Sequence, residues 1–126
     1  MDDFPSFMKA PANRVPTAEQ NTDDVEGYFF EGSDGTQVAY WTCHSDRVSR
    51  EHSHPFDEYM VCVCGRYVAH VDGKTFELGP GDELLIPKHS TQWGEVQAGT
   101  RSIHVFGGQR IKKTQQPSSE LTSIPK

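Results

Sequence analysis

Residues 51–59, EHSHPFDEY, bring two histidines and a glutamate close together in the chain. On an extended strand, residues two apart project to the same side, so His52 and His54 present imidazoles toward one point from backbone positions about 7 Å apart. Glu58 follows after a short turn and opens the next strand, where its carboxylate can return to that point. Two neutral imidazoles and one carboxylate form a facial ligand set with open positions on a divalent metal ion. These three residues therefore predict a metal site.

Short β-rich runs surround this segment and must position it. YFFEG, TQVAYWTC, EYMVCVCG, RYVAHV, KTFEL and ELLIP are separated by Gly, Asp and Pro, and this spacing predicts an antiparallel sandwich or barrel. No central stretch sustains a 3.6-residue apolar period, so we expect little helix. Strand alternation places Met60, Cys62 and Cys64 on the face of Glu58, where core packing explains them.

The metal motif and its surroundings resemble the cupin superfamily, in particular its small single-domain proteins of the cupin 2 type, over roughly residues 36–106. The first motif of that family is G-x5-H-x-H-x3,4-E-x6-G. Its matches here are His52, His54, Glu58 and Gly65, while Asp46 stands at the leading glycine. The resemblance implies an all-β fold, a double-stranded β-helix or jelly-roll barrel, with a metal ion at its mouth.

The second motif of the family, G-x5-P-x-G-x2-H-x3-N, is matched less completely. Gly81 and Pro87 agree, whereas the inner glycine is His89, the ligand histidine is Gln92 and the asparagine is Val96. The resemblance thus implies Gln92 at the fourth metal position, where a neutral amide oxygen is a weaker donor than imidazole.

Other groups can complete the metal site instead of Gln92. His89 can move inward by a loop rearrangement, and His104 lies in the predicted strand RSIHVF, where alternation does not say which face is interior. Water is the remaining possibility. His89 and His104 are also the candidate catalytic residues, with Glu83 a further candidate for a general base.

Composition and charge restrict the partners and the location. The net charge is −6 and the Lys and Arg residues are scattered except for Lys112 and Lys113, which argues against nucleic acid or an anionic membrane surface. No apolar run approaches the roughly 18 residues that cross a bilayer. The acidic start MDDFPSFMK lacks the form of a secretory signal, and three cysteines are an odd number. A cytoplasmic protein with reduced thiols is expected.

The 126 residues suit one domain, and we divide the chain into an N-terminal arm, residues 1–24, a cupin barrel, residues 25–108, and a flexible C-terminal tail, residues 109–126. The arm carries apolar side chains such as Phe4 and Val15, so it either docks on a neighbouring surface, including a partner subunit, or stays loose. Small cupins are often homodimers, and the resemblance implies a homodimer here.

Two functions fit these observations, because the fold itself hosts many activities. One is a metalloenzyme acting on a small oxygen-bearing metabolite, either dioxygenase-like with Fe or Mn, or a Lewis-acid isomerase or lyase with Zn or Ni. The other is a cupin that binds a small ligand, such as a sugar or metabolite, without turnover. The missing histidine of the second motif favours the second function somewhat.

Overall fold

The computed structural model describes residues 1–112 and consists mainly of strands. The strands are β1 (Val25–Glu31), β2 (Gln37–Cys43), β3 (Arg47–Val48), β4 (Glu58–Cys64), β5 (Tyr67–Val71), β6 (Lys74–Leu78), β7 (Glu83–Ile86), β8 (Gln92–Val96) and β9 (Arg101–Phe106). Helix in this part of the chain is limited to three 3-10 turns, Ser6–Met8, Pro11–Asn13 and Thr17–Glu19. None of the described helices has the length and apolar character needed to span a membrane.

The strands form two antiparallel sheets. One has five strands in the order β1-β2-β9-β4-β7, and the other has four in the order β3-β8-β5-β6. Tight turns with positive φ join neighbouring strands, as at Asp72 (φ 49°) and Gly73 (φ 82°) between β5 and β6. The predicted all-β jelly-roll architecture with little helix is therefore confirmed.

The interior between the sheets is packed by the residues that alternate inward. One cluster joins Met60, Cys62 and Ile86 of the five-stranded sheet to Ala69 and Val71 of the other. Met60 and Cys62 have no exposed surface, as alternation from Glu58 predicts.

Cys64 is less enclosed than Met60 and Cys62, because the pairing of β4 with β9 shifts register between Cys62 and Cys64. Such a bulge turns the following side chain away from strict alternation. The expectation that Cys64 shares the inward face therefore holds less well than for its neighbours.

The N-terminal arm packs on its own barrel. Val15 donates its backbone N–H to the Gly27 carbonyl at 2.8 Å and is 1% exposed, in a second cluster with Phe29 and Phe106. Phe4 contacts the Tyr40 ring, with centroids 5.6 Å apart. The sequence left open whether the arm docks or stays loose. These contacts show it docked on the barrel of its own chain.

The chain after β9 is also held against the barrel as far as it is described. The buried side chain of Gln37 donates to the Ile111 carbonyl at 2.7 Å and accepts from the Ile111 N–H at 2.8 Å. Ile111 has no exposed surface. The division into arm, barrel and flexible tail remains a prediction, and residues 113–126 of the predicted tail lie outside the described residues.

Candidate functional site

A cavity of about 80 Å³ opens between the two sheets and holds most of the predicted site. Space of this size accepts several water molecules or a small organic ligand. Among the residues that line it are His52, His54, Glu58, Gln92 and His104. The fold thus brings together all four predicted metal ligands and one of the two histidines proposed for catalysis.

His52 is placed by an isolated antiparallel bridge to the first residue of β8. Its N–H donates to the Gln92 carbonyl at 2.9 Å, and the Gln92 N–H donates back at 2.8 Å. The ring Nδ1 of His52 lies 2.8 Å from the Arg50 carbonyl. Because a carbonyl only accepts, Nδ1 carries the proton and Nε2 keeps its lone pair. This tautomer is the one that metal-bound histidines commonly adopt.

His54 lies beside His52 with its side chain largely enclosed. Its ring stacks on Phe56, with centroids 5.1 Å apart and planes 6° apart. The Nε2 atom is buried and has no hydrogen-bond partner among the described residues, and it lies 3.6 Å from Glu58 Oε1. Burial lowers the pKa of His54 to about 4, so the imidazole is neutral at neutral pH. A buried, unpaired nitrogen of this kind costs stability unless something binds it.

Glu58 opens β4 and is 4% exposed, yet its carboxylate is well supplied with donors. Gln92 Nε2 donates to Oε1 at 3.0 Å, and His104 Nδ1 lies 2.7 Å from Oε2. Burial by itself raises the pKa of Glu58, but the hydrogen bond with His104, together with His54 and Gln92, holds the pKa below its ordinary value. The residue is therefore a charged carboxylate in the interior.

His104 faces the interior, which strand alternation alone left open. It pairs with Met60 across β4 and β9, and its side chain reaches Glu58 two positions further along that ladder. Since an ionised carboxylate only accepts, Nδ1 of His104 is the donor. Its Nε2, 3.0 Å from Ser102 Oγ, is left to accept the hydroxyl proton.

The donor set suits a metal ion in its chemistry, although the carboxylate is engaged elsewhere. Two ligands of one ion at about 2.1 Å each are about 3.0–3.4 Å apart, close to the 3.6 Å between His54 Nε2 and Glu58 Oε1. Within residues 1–112, however, no group of three or more His, Cys, Asp and Glu side chains could hold a metal ion as it stands. The contact of Gln92 with Oε1 gives a physical reason, because Oε1 must exchange that hydrogen bond for an ion.

The remaining candidates lie outside the cavity. His89 is exposed in the loop after β7, with φ 67° at the position of the motif's inner glycine, and its N–H donates to the His54 carbonyl at 2.7 Å. Glu83 is also exposed and accepts a hydrogen bond from the Tyr59 hydroxyl at 2.7 Å. Only His104 of the three acid–base candidates lines the cavity.

Other residues of the cavity wall were not predicted. Arg110 reaches it from the chain after β9, Tyr67 from β5, and Asn21 from the arm. Burial raises the pKa of Tyr67, so its phenol stays protonated. Tyr67 shares a face of β5 with the buried Ala69 and Val71, so strand alternation is a signal that could have found it. No local pattern marks Arg110 or Asn21, since their positions depend on long-range docking.

Comparison with known proteins identifies the family. The model of the Cupin domain family matches residues 39–106, more than half of the chain. The protein belongs to the cupin superfamily, as the two motifs predicted. No curated protein sequence matches the chain significantly.

Solved structures share the fold at low sequence identity. KdgF from Halomonas sp. has a TM-score of 0.61 at 16% identity, covering 73% of this chain and 89% of its own. An RmlC-like cupin from Shewanella frigidimarina NCIMB 400 has a TM-score of 0.61 at 15% identity, covering 75% and 92%. The polyketide cyclase RemF from Streptomyces resistomycificus has a TM-score of 0.60 at 18% identity, covering 74% and 71%. At these identities the likeness extends to the fold alone.

Proposed function

We propose that this cupin binds one divalent metal ion through His52, His54 and Glu58 and acts on a small oxygen-bearing metabolite in the cavity. The observation that carries the proposal is the buried Nε2 of His54, which has no partner in the described chain and faces Glu58 Oε1. A divalent metal ion binds a histidine nitrogen at about 2.0–2.1 Å and would satisfy this atom.

Acid–base chemistry suits the surroundings of this ion. A bound Zn, Ni, Mn or Fe ion supplies a Lewis acid for a substrate oxygen, or a site for dioxygen. An isomerase or lyase also needs an acid–base group, and His104 can be that group. It lines the same cavity, with one ring nitrogen hydrogen-bonded to Glu58 and the other to Ser102. We therefore favour the isomerase or lyase over the dioxygenase-like reaction.

Each chain residue has a defined part in this scheme. Glu58 fixes the His104 tautomer, so Nε2 can receive a proton from substrate through Ser102 Oγ and return it. The neutral phenol of Tyr67 can donate a hydrogen bond to a substrate oxygen. Trp41 and Phe106 line the cavity and limit its exposure to water.

A non-catalytic binding protein is the second candidate, and one observation favours it. Gln92 replaces the ligand histidine of the motif and donates to Glu58, so the carboxylate is already satisfied by two side chains without an ion. In that case the cavity captures a sugar or other metabolite unchanged. A homodimer and a cytoplasmic location complete the proposal, and light scattering of the purified protein tests the dimer.

Elemental analysis tests the metal. The protein is purified without chelator or histidine tag, then given Fe(II), Mn(II), Ni(II) or Zn(II) anaerobically and desalted. We expect close to one ion per chain, lost in His52→Ala/His54→Ala. The matched control His44→Ala/His70→Ala also removes two histidines, but outside the cavity, and should keep the ion. No ion in the native protein, or equal content in both variants, would falsify the metal site and leave the binding protein.

Catalysis is tested separately from metal content. The loaded protein is incubated in D₂O with panels of small hydroxy and keto compounds, with deuterium uptake followed by NMR and oxygen by an electrode. Deuterium uptake that is lost in His104→Gln but retained in His89→Gln supports the acid–base scheme. Oxygen consumption without deuterium uptake would select the dioxygenase-like reaction.

A further inference from the structure

Arg110 contributes a cation to the wall of the cavity. It is the one Lys or Arg among the described residues that line the space also lined by His52, His54 and Glu58. Its guanidinium carbon lies 5.4 Å from the centroid of the Trp41 ring and 5.7 Å from that of Phe106. The side chain is half-buried and lies close to both aromatic rings.

The guanidinium has more donors than the described residues satisfy. Arginine carries five N–H donors, and here Nη1 donates to the Glu19 carbonyl at 2.8 Å. No carboxylate among residues 1–112 lies within ion-pair distance of Arg110. Burial lowers the pKa of Arg110, which reflects the cost of keeping the charge here, while the more distant charges of Glu58 and Glu19 oppose the shift.

Glu58 is the acidic residue of the cavity wall, but it does not pair with Arg110. Its two oxygens are taken by Gln92 and His104. A half-buried cation with no direct ion pair to a carboxylate of residues 1–112 is unfavourable in the empty protein, and a ligand that brings an anion into contact with it stabilises it. A planar guanidinium that is stacked on aromatic rings is suited to hold a carboxylate through two parallel hydrogen bonds.

The backbone that carries Arg110 is fixed rather than adaptable. The next residue, Ile111, is clamped by two buried hydrogen bonds to Gln37, and the preceding Gln109 donates to Glu31 at 3.1 Å. Phe106 contacts both Arg110 and the His54 ring, whose centroid lies 5.8 Å from its own. Arg110 and His54 therefore both lie against Phe106 and line the same cavity.

From this arrangement we infer that Arg110 anchors a carboxylate group of the ligand, so the protein takes a small carboxylic acid whose other oxygen-bearing end points toward His52, His54 and Glu58. This deepens the proposed function by naming the ligand class. The inference rests on the proposed function only for the direction of the oxygen-bearing end opposite the carboxylate. A carboxylate fits better than a phosphate, because a single cation faces the cavity and a doubly charged group needs more donors.

Binding of glycolate and glycolamide to chelator-treated protein tests the inference. The two molecules have the same number of heavy atoms and differ in charge. NMR titration, followed at the Arg110 side-chain Nε–H, should show glycolate binding about tenfold or more tighter than glycolamide, as expected for a charge-assisted bidentate contact. Arg110→Gln should abolish this preference. Arg66→Gln, which removes an exposed arginine paired with Glu77 outside the cavity, should keep it.

Further arms separate the outcomes. Arg110→Lys keeps the charge but loses the two parallel N–H donors of the guanidinium. It should therefore bind glycolate more weakly and still prefer it to glycolamide. This variant tests the anchor if Arg110→Gln does not fold. Inorganic phosphate that outcompetes glycolate would overturn the choice of carboxylate. Equal binding of glycolate and glycolamide, or an unchanged preference in Arg110→Gln, would overturn the anchor itself. Metal content is measured on the same variants. If the preference for glycolate is absent while one ion per chain is retained, the anchor is wrong and the proposed metal site stands. If the preference is present while no ion binds, the metal site is wrong and the anchor stands.

Discussion

Two histidines contact the same buried carboxylate, and replacing each with phenylalanine should have opposite effects on the metal-free protein. Within residues 1–112, the buried Nε2 of His54 has no hydrogen-bond partner, whereas His104 makes a 2.7 Å hydrogen bond to Glu58 and a 3.0 Å contact with Ser102. In His54→Phe, a six-membered ring can keep the parallel stack on Phe56. The substitution removes an unsatisfied nitrogen at the risk of slight overpacking.

The magnitudes follow from these contacts. Relief of one unsatisfied buried polar atom contributes about 1–3 kcal/mol, and overpacking subtracts about 1 kcal/mol or more, so His54→Phe should change the free energy of unfolding by about 0 to +2 kcal/mol. His104→Phe leaves the buried Glu58 carboxylate with Gln92 as its remaining donor. Removing one partner of a buried charged pair costs about 3–5 kcal/mol. The two variants should therefore differ by several kcal/mol.

Urea unfolding at pH 7.5 with chelator present measures this difference. The experiment is then repeated with the metal found by elemental analysis. At a metal concentration 100 times the dissociation constant, the metal should stabilise the native protein by about 2.7 kcal/mol. It should not stabilise His54→Phe. Equal destabilisation of the metal-free protein by His54→Phe and His104→Phe would contradict the unsatisfied state of His54. Stabilisation of His54→Phe by metal would contradict its role as a ligand.

The site and its support make further measurable predictions. In chelator-treated protein, the unfolded chain binds a proton at His54 near pH 6.5 and the folded chain near pH 4, so stability should rise across this window by up to about 3 kcal/mol as pH increases. Urea unfolding from pH 4.5 to 7.5 should show a flatter profile in His54→Phe, and an unchanged slope would contradict the assignment. Gln37→Met should cost about 2–4 kcal/mol and speed tryptic cleavage after Lys112, because Ile111 loses both buried backbone partners; unchanged cleavage would show that the clamp is not needed. Gly94→Ala should cost about 1–3 kcal/mol in urea unfolding, since a Cβ there lies 2.8 Å from Tyr67, and a neutral result would mean that the ring moves freely.

The sequence was informative wherever a short-range rule decides the structure. The period of two along EYMVC places Glu58, Met60 and Cys62 inside, and turn residues separate the strands at the right intervals. His104 shows the limit, because its inward direction follows from the pairing of β9 with β4, 46 residues away from Glu58. A one-residue change of register reverses such a direction, and nothing local fixes it.

The arm and the segment after β9 show the same limit. Composition left docking and a loose chain open for the arm and predicted a flexible tail after residue 108, yet apolar residues of both segments are buried: Val15 and Ile111 are 1% and 0% exposed. Each docking relies on backbone hydrogen bonds to partners that the sequence does not identify, Gly27 and Gln37. Composition describes the average polarity of a segment, whereas one buried side chain can hold the whole segment against the barrel. Composition therefore does not predict docking of this kind.

The role of Gln92 decides how the carboxylate is shared. His104 uses Oε2 of Glu58, so a metal ion near His54 does not disturb it, whereas Gln92 donates to Oε1, the oxygen that an ion needs. Gln92 therefore stabilises the carboxylate in the metal-free protein and would compete with the proposed ion for it. A ligand role through its amide oxygen predicts the opposite effect of removing it.

Gln92→Leu separates the two roles. We expect it to destabilise the chelator-treated protein by about 1.5–3 kcal/mol, the value of a hydrogen bond to a charged group, while metal affinity stays equal or rises. Gln92→His, which restores the imidazole of the family motif, should raise the affinity further, because imidazole is the stronger donor. Both dissociation constants can be measured by competition with a chromogenic chelator. A loss of metal affinity of tenfold or more in Gln92→Leu would show instead that the amide is a ligand.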